Sequence, residues 1–147
     1  MFRNIMVPTD GSALSRKAIK KAVALAKATG ARVTGFHVAP GYDFNVYAEY
    51  IPPDFVLPRD FEAQAKKVAA RHLESIKKEC GASGVPCATY HVCSDFPADA
   101  IVRTAKKCKC DLIAMASHGR SGLSKLLIGS ETQKVLANTS IPVLVLR

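Results

Sequence analysis

The residues of this chain best equipped for chemistry fall in two short loops. The first, Ala116-Ser117-His118-Gly119-Arg120-Ser121-Gly122, leads on to Gly129-Ser130-Glu131-Thr132. Glycines let a backbone approach oxygen atoms closely. Gly129-Ser130 opens a predicted helix, whose first N–H groups and positive dipole end suit a phosphate. Ser130 and Gln133 fit the S-x-x-Q capping box, and Arg120 can add charge-assisted hydrogen bonds. The second loop, Thr9-Asp10-Gly11-Ser12, offers a short carboxylate that can accept hydrogen bonds from hydroxyls or from a metal-bound water. Each loop also has a plainer reading, in which the glycines only shape a tight connection, Ser130 only caps a helix and Asp10 only caps a turn.

The elements that must position these loops alternate between two apolar periods. Asn4 to Pro8 reads as a short buried strand, and Ile19, Ala22, Val23 and Ala26 recur at helical spacing until Gly30 ends the run. Arg32 to Val38 supplies a second strand. An insert from about 39 to 58 follows, too proline-rich for a regular element, with aromatic residues from Tyr42 to Phe55. A helix is predicted from Arg59 to Cys80 with the stripe Phe61, Ala65, Val68, Ala69, Leu73 and Ile76, closed by the segment Gly81 to Pro86. Cys87 to Val92 is the third strand. Pro97 suits the first turn of a helix with Ala98, Ile101, Val102 and Ala105 inward. Asp111 to Ala116 reads as a central strand covered on both faces, and after a last helix the chain ends on the strand Ile141 to Leu146. Strands alternating with helices give an α/β fold, an open five-stranded parallel sheet with helices on both faces, in one domain spanning residues 1–147. Ligands of such sheets sit at the carboxyl ends of strands where the order reverses, which singles out the loops after the first and fourth strands.

The 147 residues carry 21 Lys+Arg against 12 Asp+Glu, a formal charge of +9. Arg16, Lys17, Lys20, Lys21 and Lys27 lie along one predicted helix, and Arg103, Lys106, Lys107 and Lys109 crowd the end of another. Both groups read as solvated helix faces. Aromatic residues make up only 7% and do not interleave with the lysines as a single-strand platform requires, so nucleic acid is not the expected partner. Five cysteines without a CxxC pair read as reduced, mostly buried thiols rather than a disulfide or zinc framework. No apolar run approaches a membrane span, and the start lacks the layout of a signal peptide, so a soluble, cytoplasmic protein is expected.

Taken together, Met6 to Ser12, Phe36-His37-Val38, Met115 to Gly122, Gly129 to Thr132 and Ile141 to Val145 resemble the universal stress protein family, in order and along the whole chain. Members that bind ATP carry a G-x2-G-x9-G-[ST] motif, which reads here as Ala116-x2-Gly119-x9-Gly129-Ser130, with alanine in place of the first glycine. If the backbone there needs a positive φ, the alanine costs about 1 kcal/mol; if it is extended, little is lost. The resemblance implies a Rossmann-like, adenine nucleotide alpha hydrolase-like sheet of order 3-2-1-4-5, binding ATP, ADP or AMP, with Mg²⁺ accompanying the triphosphate. It implies that Pro8, Thr9 and Asp10 line the site, with Asp10 on the ribose or on a metal-bound water, and that the Val38 backbone meets the adenine edge. Met115, Ala116, Ser117, His118, Gly119, Arg120, Ser121, Gly122, Gly129, Ser130, Glu131 and Thr132 would complete it, while His37, His72 and His91 read as structural. Family members commonly pair through the last strand, which implies a homodimer acting as a stress sensor or adaptor. No Walker A sequence occurs, which favours a binding switch, with slow hydrolysis at most, over a turnover enzyme. The competing reading is a member that has given up nucleotide and works through protein contacts, with Ala116 as its supporting feature.

Overall fold

The computed structural model describes residues 1–42, 57–120 and 127–147. The elements run β1 (Asn4–Pro8), α1 (Ala13–Thr29), β2 (Arg32–Ala39), α2 (Pro58–Ser83), β3 (Cys87–Cys93), α3 (Pro97–Lys107), β4 (Leu112–Ala116), α4 (Ser130–Asn138) and β5 (Val143–Leu146). All strand pairs are parallel, in the order β3-β2-β1-β4-β5, which is the expected topology. Alternate residues of the central strands feed two cores. Ile5, Val7, Val33, Leu112 and Ala114 pack beneath α1 and α2, while Met6, Phe36, Ile113 and Met115 pack beneath α3 and α4. β1 and β4 are therefore buried on both faces, as their near-continuous apolar sequences require.

Local chemistry sets the helix ends. The Ser12 hydroxyl accepts the Ser15 N–H at 3.1 Å to cap α1. Gly30 closes the same helix in the left-handed conformation, with φ of 70°. α2 runs past its expected end, because Gly81 remains helical and Gly84 takes the left-handed position, with φ of 69°. Its buried stripe is Ala65, Ala69, Leu73, Ile76 and Cys80, and Val68, expected inward, is 41% exposed. The last strand begins at Val143 rather than Ile141. Pro142 precedes it and uses its carbonyl to accept the Ile113 N–H at 2.9 Å. Asp111, expected to open β4, instead accepts the Arg3 N–H at 2.9 Å and the Asn4 N–H at 3.0 Å, fastening the start of β1.

The expectation of mostly buried thiols fails for two of the five, since Cys87 and Cys93 on the edge strand β3 are exposed while Cys80 and Cys110 are buried. Of the insert, Ala39 belongs to β2 and Pro58 to α2. A Tyr42–Phe61 edge contact at 5.0 Å ties its beginning to α2, and residues 43–56 lie outside the described set. Among the described residues no helix is long and apolar enough to cross a membrane.

Candidate functional site

β1 and β4 are neighbours at the centre of the sheet. The chain leaves β1 toward α1 on one face and β4 toward α4 on the other, so their carboxyl ends diverge and open a cleft. The cleft has a volume of about 770 Å³, within the range usual for small-molecule sites. Pro8, Thr9, Asp10, Val38, Met115, Ala116, His118, Gly119, Arg120, Gly129, Ser130, Glu131 and Thr132 all line it, joined by Phe36, Pro40, Pro97 and Ile101, which were not expected in the site. Ser117 does not: it is 1% exposed, and its hydroxyl pairs with His118 Nδ1 at 3.0 Å. Ser121 and Gly122 lie outside the described residues.

One carboxylate joins the two loops. Asp10 Oδ1 accepts the Ser12 N–H at 2.9 Å, and Oδ2 accepts the Arg120 N–H at 3.0 Å. Burial alone pushes the Asp10 carboxyl up. The Ser12 hydroxyl, the Ser12 and Arg120 N–H groups and the Arg120 charge outweigh that and hold it below the usual carboxylate range. A Cβ at Gly119 would overlap Asp10 Oδ2, so any side chain there displaces the carboxylate.

The loop after β4 closes on itself. Ser117 donates its N–H to the Leu146 carbonyl at 2.8 Å and accepts the Gly129 N–H at 2.7 Å, so Gly129 abuts His118, whose Cα would lie 3.0 Å from a Cβ at Gly129. Gly129 itself is the N-cap of α4, and Ser130 is its first helical residue. The expected capping box is thus displaced. Gln133 donates its backbone N–H to the Gly129 carbonyl at 3.0 Å and its side-chain amide to the Ile128 carbonyl at 2.8 Å. With no side chain over the cap, the N–H groups of Ser130, Glu131 and Thr132 open the helix, with no carbonyl a turn earlier to take them. Thr132 ties this end to the sheet, its hydroxyl donating to the Ala116 carbonyl at 3.1 Å. Glu131 turns to α3, where Oε2 accepts the Ala98 N–H at 3.1 Å, supplying the cap that Phe96 lacks. Ala116 ends β4 and is not among the residues with positive φ. Its methyl group therefore costs the backbone nothing.

Val38 occupies the opposite wall. The last β1–β2 pair is Pro8↔Phe36, and the Phe36 carbonyl, turned toward β1, accepts the Thr9 N–H at 2.9 Å. Strand alternation turns the Val38 backbone the same way, past the end of β1, where a hydrogen-bonding edge faces the cleft. Apolar side chains of Phe36, Val38, Ile101 and Met115 flank it.

The histidines behave differently from one another. His37 is buried and donates Nδ1–H to the Thr9 carbonyl at 2.8 Å, bracing the loop after β1. His72 on α2 lies 4.7 Å from the His37 ring and accepts an Arg120 guanidinium hydrogen at Nε2, at 3.3 Å. Burial first, then the charges of His37, Arg120 and Arg71, lower its pKa against the opposing pull of Asp10. A Cβ at Gly11, where φ is 77°, would overlap the His72 ring. Sequence spacing carried no sign of this residue, because only the packing of α2 across the sheet brings it beside the loops. Among the described residues no cluster of three or more His, Cys, Asp or Glu is built to hold a metal; Asp10 and Glu131 are the carboxylates lining the cleft.

Comparison with known proteins places this geometry among relatives. The model of the universal stress protein family matches residues 1–147. Universal stress protein MJ0531 of Methanocaldococcus jannaschii is 32% identical, over 100% of this chain and 83% of its own length. Universal stress protein YxiE of Bacillus subtilis is 33% identical over 100% of both chains. The solved structure of MJ0577, also from M. jannaschii, superposes with a TM-score of 0.83 at 28% identity, covering 99% of this chain and 96% of the other. Structures of lower identity share the fold: a universal stress protein in complex with cAMP (TM-score 0.73, 22%), one from Archaeoglobus fulgidus in complex with dAMP (0.66, 20%) and one from Arabidopsis thaliana with AMP bound (0.67, 18%).

Proposed function

The chain belongs to the universal stress protein family, and we propose that it binds an adenine nucleotide, ATP foremost with ADP or AMP as related ligands, between the loops after β1 and β4. One observation carries the reading: a single cleft brings together an uncapped helix N-terminus, glycine-lined backbone and an apolar slot with a free strand edge at Val38. The phosphates sit on the N–H groups of α4 beside Gly119, Gly129 and Ser130, with Arg120 in reach. The adenine lies against Phe36, Val38 and Met115, and Asp10 faces the ribose. Mg²⁺ accompanies the triphosphate, and Asp10 reaches it through water. Relatives solved with cAMP, dAMP and AMP support the ligand class. The backbone at Ala116 needs no positive φ, so the alanine adds no strain there, which supports the nucleotide reading over a member without nucleotide.

The chemistry is that of a binding switch, since the sequence offers no P-loop lysine. The protein acts as a cytoplasmic stress-response sensor or adaptor, dimeric through β5. This strand lies at the sheet edge with Leu144 36% exposed, and such an edge offers a row of backbone groups to a second chain. Denaturing the purified protein and identifying released nucleotide by mass spectrometry, with titration of ATP, ADP and AMP into wild type and Gly129→Trp, tests the binding. Saturable binding by wild type and none by the variant is expected. Absence of both released nucleotide and titratable binding overturns the reading. A monomeric mass in solution at micromolar concentration overturns the dimer alone.

A further inference from the structure

A second groove, of about 710 Å³, lies on the α3–α4 side of the sheet over β2 and β3, and it reaches from the start of these strands to Phe36, which also borders the nucleotide cleft. It exists because β3 takes its helix cover from α2, on the other face, whereas α3 packs on β2 and α4. Tyr90, 49% exposed, and Val92 form an apolar floor over the buried Phe36. Arg32, Lys107 and Lys109 stand at the end where β2 and β3 begin, all three exposed. No Asp or Glu lines the groove, and among the described residues none of these cations pairs with a carboxylate. β3 is an edge strand, so its outer row of N–H and C=O groups has no strand partner among the described residues.

Lys109 provides an independent observation. Three helices of this chain end in the same pair of hydrogen bonds: Gly30 to Lys27 with Ala31 to Ala26, Gly84 to Gly81 with Val85 to Cys80, and Lys109 to Lys106 with Cys110 to Ala105. The closing residue is left-handed in each, with φ of 70°, 69° and 54°. Glycine takes this position twice, as its freedom from a Cβ favours, and lysine once. Lysines in the last turn of a helix complement its dipole, which accounts for Lys106 and Lys107. It does not account for a lysine on the strained residue itself, and strain of this kind is retained where a side chain is needed.

We propose that this groove is a docking surface for an acidic peptide segment of a partner protein. The segment lies extended along the edge of β3, with carboxylates at one end on Arg32, Lys107 and Lys109 and apolar side chains at the other on Tyr90 and Val92. Charge complementarity selects an acidic partner, and the open strand edge selects a polypeptide, whose main chain alone can continue the ladder. The strand from Cys87 to Cys93 accommodates a segment of about seven residues. This proposal is independent of the nucleotide reading.

The test pans a random heptapeptide library, displayed on phage, against the 147-residue protein, then measures fluorescein-labelled selected peptides by fluorescence polarisation. Enriched peptides are expected to join a carboxylate cluster to an alternating apolar stretch and to bind more weakly as salt rises. The informative variant is Lys109→Gly, which relieves the left-handed strain. It is expected to raise the melting midpoint by about 2–4 °C while weakening peptide binding about three- to fivefold, the loss of one solvent-screened ion pair. Lys107→Ala is expected to weaken binding similarly without the gain in stability. ATP affinity stays unchanged in both variants. The proposal is overturned if no peptide is enriched, if enriched peptides lack acidic residues, or if Lys109→Gly binds them as well as wild type. Binding of an oligo-dT strand that depends on Lys109, with no peptide binding, assigns the surface to nucleic acid instead.

Discussion

Replacing Gly119 with alanine probes the junction on which the nucleotide cleft depends. The new Cβ would overlap Asp10 Oδ2, the atom that accepts the Arg120 N–H at 3.0 Å. Asp10 cannot swing away freely, because its other oxygen holds the Ser12 N–H at 2.9 Å. Gly119 is not among the glycines with positive φ, so the backbone tolerates alanine and displacement of the carboxylate is the whole effect. A hydrogen bond to a charged group contributes about 1.5–3 kcal/mol. Asp10 is only partly buried, and water replaces part of what is lost, which leaves about 1–2 kcal/mol. For a chain of this size that lowers the melting midpoint by about 3–6 °C. The decisive measurement is a double-mutant cycle with Asp10→Ala, read by urea and thermal unfolding. Once the carboxylate is gone, Gly119→Ala costs under about 0.5 kcal/mol and can stabilise slightly by restricting the unfolded chain. The folded pKa of Asp10 is depressed, so its contribution is complete above the unfolded value near 3.9 and disappears as pH falls through the folded one. The gap between wild type and Gly119→Ala therefore narrows below about pH 4. Additive costs across the cycle, or a gap that persists in acid, refute the reasoning.

Three further expectations follow from the same coordinates. His72 has a lowered pKa, so the unfolded chain binds its proton first; stability is flat above about pH 6.5 and declines as pH falls from there toward the folded value. An NMR titration placing the His72 midpoint at or above 6.5, or His72→Gln leaving that decline intact, contradicts this. Thr132→Val keeps the side-chain shape but removes the hydrogen bond to the Ala116 carbonyl; it costs about 1 kcal/mol and weakens nucleotide binding, and unchanged unfolding curves count against it. Burial pushes Cys80 up to about 12 and Cys110 up to about 11, so Ellman's reagent at pH 8 modifies Cys87 and Cys93 in the native protein and reaches Cys80 and Cys110 only after denaturation. Equal rates for all thiols would contradict the burial.

What could be read in advance depended on how local its cause was. The apolar spacing of Ile19, Ala22, Val23 and Ala26, and the glycine at 30, are written into adjacent residues, and the structure returns them as α1 and its left-handed cap. The end of α2 was misplaced because Gly81 and Gly84 look alike in a sequence. The helix passes through Gly81, where a Cβ would meet nothing, and the hydrogen bond from the Val85 N–H to the Cys80 carbonyl makes Gly84 the closing residue. Val68 looked inward on periodicity, yet α2 covers the margin of the sheet and buries only a narrow stripe. The candidate site divides the same way. Asp10, Gly119 and Gly129 were visible as loop residues of suitable chemistry. His72 was not, since it reaches the site only by helix packing; Glu131 was expected in the site and lines the cleft, but its cap on a helix more than thirty residues away, bonded to Ala98 N–H, was not legible. The capping box failed because a glycine N-cap matches the polar pattern displaced by one residue.

The distribution of positive charge separates contact from field. Part of the basic row on α1 is fastened rather than free. Arg16 donates to the Gly11 carbonyl at 2.7 Å and Lys21 to the Arg147 carbonyl at 2.7 Å, bracing the loop after β1 and the tail beyond β5. Arg120, the one cation among the described residues that line the cleft, is likewise held, by His72. In the proposed nucleotide reading, a phosphate would therefore meet backbone N–H groups first and would have to draw Arg120 away from the histidine. In the groove beside β3 the arrangement is reversed, because Arg32, Lys107 and Lys109 stand without carboxylate partners around a floor with no helix N-terminus. The net charge of +9 thus acts in two ways. In the proposed nucleotide reading it concentrates a polyanion at the cleft for backbone amides to bind, and in the proposed docking reading the groove's side chains are themselves the binding groups.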